Sequence, residues 1–191
     1  MIKIGKKVAK ITRIITVAPI LAFILVTVLY LTKYFSLVNY IVAITFLVIF
    51  PLLAYPVQSK FKIIKGNNRE AERKLAIIFS VIGYVFGFLF SLIFSANIIE
   101  KAVYLTYLLS VVFIFIFTYI LKENVSGHMC GVTGPIMVIV YIFGPIYFSL
   151  LSILILVVLS SMYLKRHSLS QLIIGSIIPV IAFLISINIY K

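Results

Sequence analysis

The chain has 191 residues, of which 64% are hydrophobic and only 11% charged. A soluble domain of this size carries about 25% charged and under half apolar residues, so a water-soluble fold is excluded and lipid must be the solvent. Seventeen Lys and Arg stand against four Glu and no Asp, a net charge of +13, but the cations cluster between apolar stretches, which fits membrane topology and anionic headgroups rather than nucleic acid.

A bilayer core of about 30 Å takes roughly 20 helical residues. The basic N-terminus leads into an apolar run too long for a signal-peptide core and without a small-residue cleavage site, so this segment is expected to remain as a span. Helix 1 is predicted over Ile14–Leu31 and helix 2 over Leu37–Val57, its end bent by Pro51 and Pro56. Helix 3 follows over Leu75–Asn97, with Gly83, Gly87, Ser91 and Ser95 forming a small-residue ridge for close packing. Helix 4 is predicted over Ala102–Leu121. From Asn124 to Leu164 there is no charged side chain, and as one helix that stretch would be about 60 Å long. It must fold back, and Gly144-Pro145 is the natural turn. Helix 5 then runs from about His128 to Phe143, helix 6 from about Ile146 to Leu164, and helix 7 from Ser168 to Tyr190.

The expected fold is all-α, a single transmembrane domain over residues 1–191 with seven spans, or six if helix 5 is only partly inserted. No internal repeat, soluble domain or low-complexity tail is visible. Lys3, Lys6, Lys7, Lys10 and Arg13 precede helix 1, and Lys60, Lys62, Lys65, Arg69, Arg73 and Lys74 fill the loop after helix 2. With seven spans, Lys122, Lys165 and Arg166 fall on that same side, against Lys33, Lys101 and Lys191 on the other. The positive-inside rule makes the basic face of a cell-membrane protein cytoplasmic.

Three polar segments share this face: Lys62 to Glu70, Asn124 to His128, and Ser160 to Gln171. They contain the only two histidines of the chain, His128 and His167. Ser126 and Gly127 open helix 5, where free backbone N–H groups and the dipole favour an anion. Lys62 and Arg69 add positive charge, and an arginine can grip two phosphate oxygens at once. Two histidines at such a site can divide labour between nucleophile or base and acid. Two histidines, no aspartate and a single cysteine do not make a shell of metal ligands. Neither a metal nor another cofactor is therefore expected. Cys130 has no cysteine to pair with and is expected to pack as a small side chain.

The three segments resemble the motifs of the type 2 phosphatidic acid phosphatase superfamily, K-x6-R-P, P-S-G-H and S-R-x5-H-x3-D. Lys62 through Arg69-Glu70 is similar to the first, with Glu in place of proline. Val125-Ser126-Gly127-His128 is similar to the second, with valine in place of proline. Ser160-Ser161, five residues, then His167 and Gln171 is similar to the third. The resemblance covers roughly residues 60–185. It implies a phosphatase-like core that removes phosphate from a lipid phosphate or polyprenyl diphosphate. Lys62, Arg69, Ser126 and Gly127 would bind phosphate, His128 would be the acid, and His167 would be the nucleophile that forms a phosphohistidine.

Two departures change the chemistry. Ser161 replaces the motif arginine, and Gln171 replaces the carboxylate that orients the nucleophile. Glutamine still accepts a hydrogen bond from an imidazole N–H but cannot neutralise an imidazolium. Lys165, one helical turn from Ser161, is a candidate substitute cation. A register through Lys65 and Arg73 does not fit the six-residue gap. Other readings stand beside these. Lys62 and Arg69 also serve as a topology signal touching headgroups, Ser168 and Gln171 form a capping box, and Glu123 is an alternative carboxylate partner for a histidine. Besides a hydrolase, an inactive relative that binds lipid phosphates or a membrane partner, or a small anion transporter, fits the composition. The expected partners are the bilayer and a membrane lipid substrate.

Overall fold

The computed structural model describes residues 5–94 and 96–191, apart from the side chains of Asn68 and Arg69. Among the described residues there are helices and no strand. The protein is an all-α polytopic membrane bundle.

The N-terminal segment is not one helix. α1 (Lys6–Ile15) and α2 (Ala18–Leu31) meet at a 46° bend. Pro19 sits in the first turn of α2, where its missing N–H costs nothing but prevents α1 from running through. On α1, Lys6, Lys7 and Lys10 are exposed, as are Val8, Ile11, Ile14 and Ile15. Such an amphipathic helix suits the plane of a membrane surface.

α3 (Leu37–Phe61) carries a wider π-helical turn over Ile44–Ile49, immediately before Pro51. Pro51 offers no donor and its ring crowds the preceding turn, and the extra residue in that turn relieves the clash without ending the helix. α4 (Asn68–Ile93) begins well before the expected Leu75, because its charged first turns are helical too. Glu70 there faces the positive end of the helix dipole. α5 (Ile98–Ile120) opens on a capping box in which Asn97 and Glu100 satisfy each other's backbone N–H groups. α6 is Gly127–Phe143, and α7 (Pro145–Tyr163) starts as a 3-10 helix over Pro145–Leu151. Between them Gly144 adopts φ 98°, ψ 175°, a conformation open essentially to glycine alone, so the predicted turn falls on the residue able to make it. α8 is Leu169–Tyr190.

α8 packs along α5 and α6, α4 lies between α3 and α5, α2 rests on α6, and α1 lies against α7. The main core joins Leu25, Leu29, Leu47, Tyr104, Val138 and Phe183. The small-residue ridge of α4 is used for packing. A Cβ on Gly83 would meet the Phe46 carbonyl oxygen at 2.5 Å, one on Gly87 would meet the Tyr104 ring at 3.0 Å, and Ser91 is fully buried. Ser95 lies outside the described residues.

Among the described residues five helices are long and apolar enough to cross a membrane, and six if the bent α1–α2 pair is one span. α6 is the helix that separates this count from seven. Its 17 residues give roughly 25 Å, short of a bilayer core. Its far end nevertheless reaches the opposite face, where the Phe143 ring packs edge-on against Tyr34 in the loop after α2.

Candidate active site

A cavity of about 710 Å³ opens where α1, α4, α6 and the α7–α8 loop converge. His128 and His167 both line it, together with Gly127, Arg13, Arg73 and Arg166. It continues between α4, α5 and α6 to Tyr84, Tyr107 and Val138. From His128 to Val138 along α6 is about 15 Å at 1.5 Å per residue.

His128 stands in the first turn of α6 because Ser126 caps that helix. The Ser126 hydroxyl accepts the Met129 N–H at 3.3 Å, and Ser126 is fully buried. The first amides of the helix, at Gly127 and His128, are those an α-helix leaves without internal partners. The Ser126 N–H donates to the Gln171 carbonyl at 3.2 Å, which ties this corner to the start of α8. Gly175 makes that contact possible, since a Cβ there would meet the Ser126 carbonyl oxygen at 2.5 Å.

His167 sits in the loop just before α8. Its Nδ1 lies 3.2 Å from the Asn124 carbonyl oxygen and 3.2 Å from Gln171 Oε1. Both are acceptors, so Nδ1 carries the proton and Nε2 keeps its lone pair. Gln171 Oε1 also accepts the Ser168 N–H, completing the capping box, so capping and holding the histidine coexist in one side chain. The His167 pKa is lowered from the ordinary 6.5, first by burial and further by the charges of Arg73 and Arg13, against the opposing hydrogen bonds to Gln171 and Asn124.

His128 is fixed from the other side. Its Nε2 lies 2.8 Å from Thr16 Oγ1, at the α1–α2 bend. The Thr16 hydroxyl proton goes to the Thr12 carbonyl at 2.6 Å, so the oxygen accepts and His128 Nε2 is the donor. Each imidazole is thus held through one N–H, His167 at Nδ1 and His128 at Nε2.

The cations differ from those the motif spacing selects. Lys62 is exposed, with φ 48° at the end of α3, and does not line the cavity. The Arg69 side chain lies outside the described residues. Arg73, one turn further on, lines the cavity and donates to the Val125 carbonyl at 3.4 Å. Lys165 does not stand over Ser161, because α7 ends at Tyr163 and Lys165 turns outward at φ 50°. The partner of Ser161 is Arg13, whose Nη1 donates to Ser161 Oγ at 2.8 Å. Glu123 is exposed and off the cavity, whereas Glu70 and Glu72 are on its wall.

Arg13, Thr16, Arg73 and Arg166 escape sequence reasoning. Arg13 reads only as a topology charge, and Arg73 falls outside the motif gap. A usable signal for Arg73 is its place on the first turns of a helix that begins beside the second motif. Comparison with family models, with curated proteins and with solved structures finds no match for the chain.

Proposed function

We propose that this protein is a metal-independent membrane phosphohydrolase acting on a lipid phosphate monoester or polyprenyl diphosphate. The observation that carries the proposal is the joint presence of both histidines and three arginines on one cavity at the membrane face. Arg73 and Arg166 supply positive charge for the phosphate, and the free amides of Gly127 and His128 add donors. The deeper part of the cavity leaves room beside the phosphate for the apolar chain.

In the proposed reaction His167 Nε2 attacks phosphorus, forming a P–N bond as the P–O bond to the leaving group breaks. His128, protonated at both ring nitrogens in the complex with the anionic substrate, keeps Nε2–H on Thr16 and gives its Nδ1 proton to the departing oxygen, which leaves as an alcohol, or as a lipid monophosphate from a diphosphate. Water, deprotonated by His128, then attacks the phosphohistidine and releases inorganic phosphate. Gln171 holds His167 in the reactive tautomer. The basic face would lie on the cytoplasmic side of the cell membrane.

The test is phosphate release from lipid phosphates and polyprenyl diphosphates by purified protein in a metal chelator. The native chain is expected to release phosphate, and His167→Ala to reduce release at least a thousandfold, as loss of a nucleophile does. Equal and negligible release by both proteins across the panel overturns the proposal.

A further inference from the structure

Arg13 lies on a helix that precedes the motif-bearing region, yet it lines the cavity and is fastened to the segment that leads to His167. Its Nη1 bonds Ser161 Oγ at 2.8 Å across 148 positions. Ser161 is fully buried on α7, in the segment that leads to His167. Three residues after Arg13, Thr16 bonds His128 at 2.8 Å. The α1–α2 bend therefore touches both histidine-bearing segments, and the charge of Arg13 bears on both imidazoles. The Ser161 hydroxyl fixes one arm of the guanidinium, which sets the plane of its donor fork.

We propose that Arg13 is a phosphate-binding residue of this site, delivered by the N-terminal surface helix rather than by the segment that carries the histidines. The ligand it takes is a phosphoryl group bearing two anionic oxygens, from a lipid headgroup or from free phosphate. An arginine matches that geometry with two parallel N–H donors, which a lysine cannot reproduce. The bond to Ser161 also predicts an exchange. An arginine side chain grown from position 161 starts at the atom the Arg13 guanidinium touches, so it can fill the same place when position 13 is emptied. This inference rests on the cavity being a phosphate site, but not on its hydrolysing anything.

The experiment measures binding of inorganic phosphate and of a short-chain phosphatidic acid to the full chain in detergent, with hydrolysis followed in parallel. Arg13→Ala is expected to weaken both ligands roughly ten- to hundredfold, the range of a lost charge-assisted hydrogen bond. Arg13→Gln keeps a donor for Ser161 without the charge and guards against a loss of folding; it should weaken binding similarly while melting like the native chain. Arg13→Lys should recover only part of the affinity. The double variant Arg13→Ala with Ser161→Arg should regain most of it, an outcome that a purely structural role for Arg13 does not produce. Weakening of both ligands assigns the phosphoryl group itself, and weakening of the lipid alone assigns the headgroup in its membrane setting; either supports the proposal. Arg13→Gln binding both ligands within twofold of the native chain overturns it. Phosphate binding that depends on Arg13 without any hydrolysis would sink the hydrolase and leave this inference standing. Hydrolysis indifferent to Arg13 would do the reverse.

Discussion

The nucleophile proposed for this site, His167, works only while its lone pair is free, and its surroundings keep it so from two directions. Acceptors at Asn124 and Gln171 hold the proton on Nδ1, and burial with nearby arginine charge lowers the pKa below 6.5. A lowered pKa means that the imidazole stays neutral as pH falls through 6.5. The acid limb of kcat/KM for a phosphohydrolase is therefore expected to lie below that value. Gln171→Glu places an anion against Nδ1–H, favours the imidazolium, and should move this limb upward by about one pH unit or more. A pH–rate profile on the two proteins decides it, and coincident acid limbs would remove Gln171 from its orienting role. The same residues explain what sequence can disclose about such a site. His128, His167 and Gln171 are legible because local spacing places them at helix starts, and their chemistry is local too. Arg13 and Arg73 are not, because a cation acquires its role from whatever α1 or α4 is packed against, and a basic residue near a membrane reads first as a topology charge.

Helices as units show the same division. The apolar runs fall where composition puts them, and Gly144 makes the turn its sequence predicts. The ends are less legible. α4 extends back through a charged segment, and α1 departs from α2 at Thr16-Val17, because polarity along one face does not prevent helix formation at an interface. One glycine carries more weight than its sequence suggests. Gly175 lets α8 approach the segment bearing Asn124, Ser126 and His128 closely enough that a single Cβ would collide with the Ser126 carbonyl. Gly175→Ala must push that segment away from α8 and so separate His128 from His167. A displacement of about an ångström in reacting groups costs roughly a hundredfold in rate. Phosphate release should fall by about that factor while helical circular dichroism stays native. Unchanged activity would mean that the α8 contact does not set the distance between the histidines.

The molecule as a whole has two unlike ends. At the opposite end from the cavity, the buried Glu100 carboxylate closes the loops. Oε1 accepts the Ser36 N–H and Oε2 the Asn97 N–H, each at 2.7 Å, and the Asn97 amide reaches the Tyr34 carbonyl. Those bonds pair polar groups of that end with one another, and its lysines are few. The histidine end instead opens into a cavity and carries the basic loops. Retention of cations on the cytoplasmic side makes this asymmetry a prediction of orientation. The chain has one cysteine, Cys130, which is buried, so a Cys130→Ala background gives a clean chain for site-directed labelling. In that background Lys33→Cys, in the loop after α2, should react with a membrane-impermeant maleimide on intact cells. Lys65→Cys, between α3 and α4, should react only after the membrane is opened. The assignment does not depend on whether α6 crosses completely, because both probes lie before it and are separated by α3 alone. Labelling of Lys65→Cys from outside, with Lys33→Cys protected, would invert the molecule and place the two histidines on the outer surface. A lipid phosphate would then have to reach them from that leaflet, so the same measurement fixes which leaflet supplies a substrate.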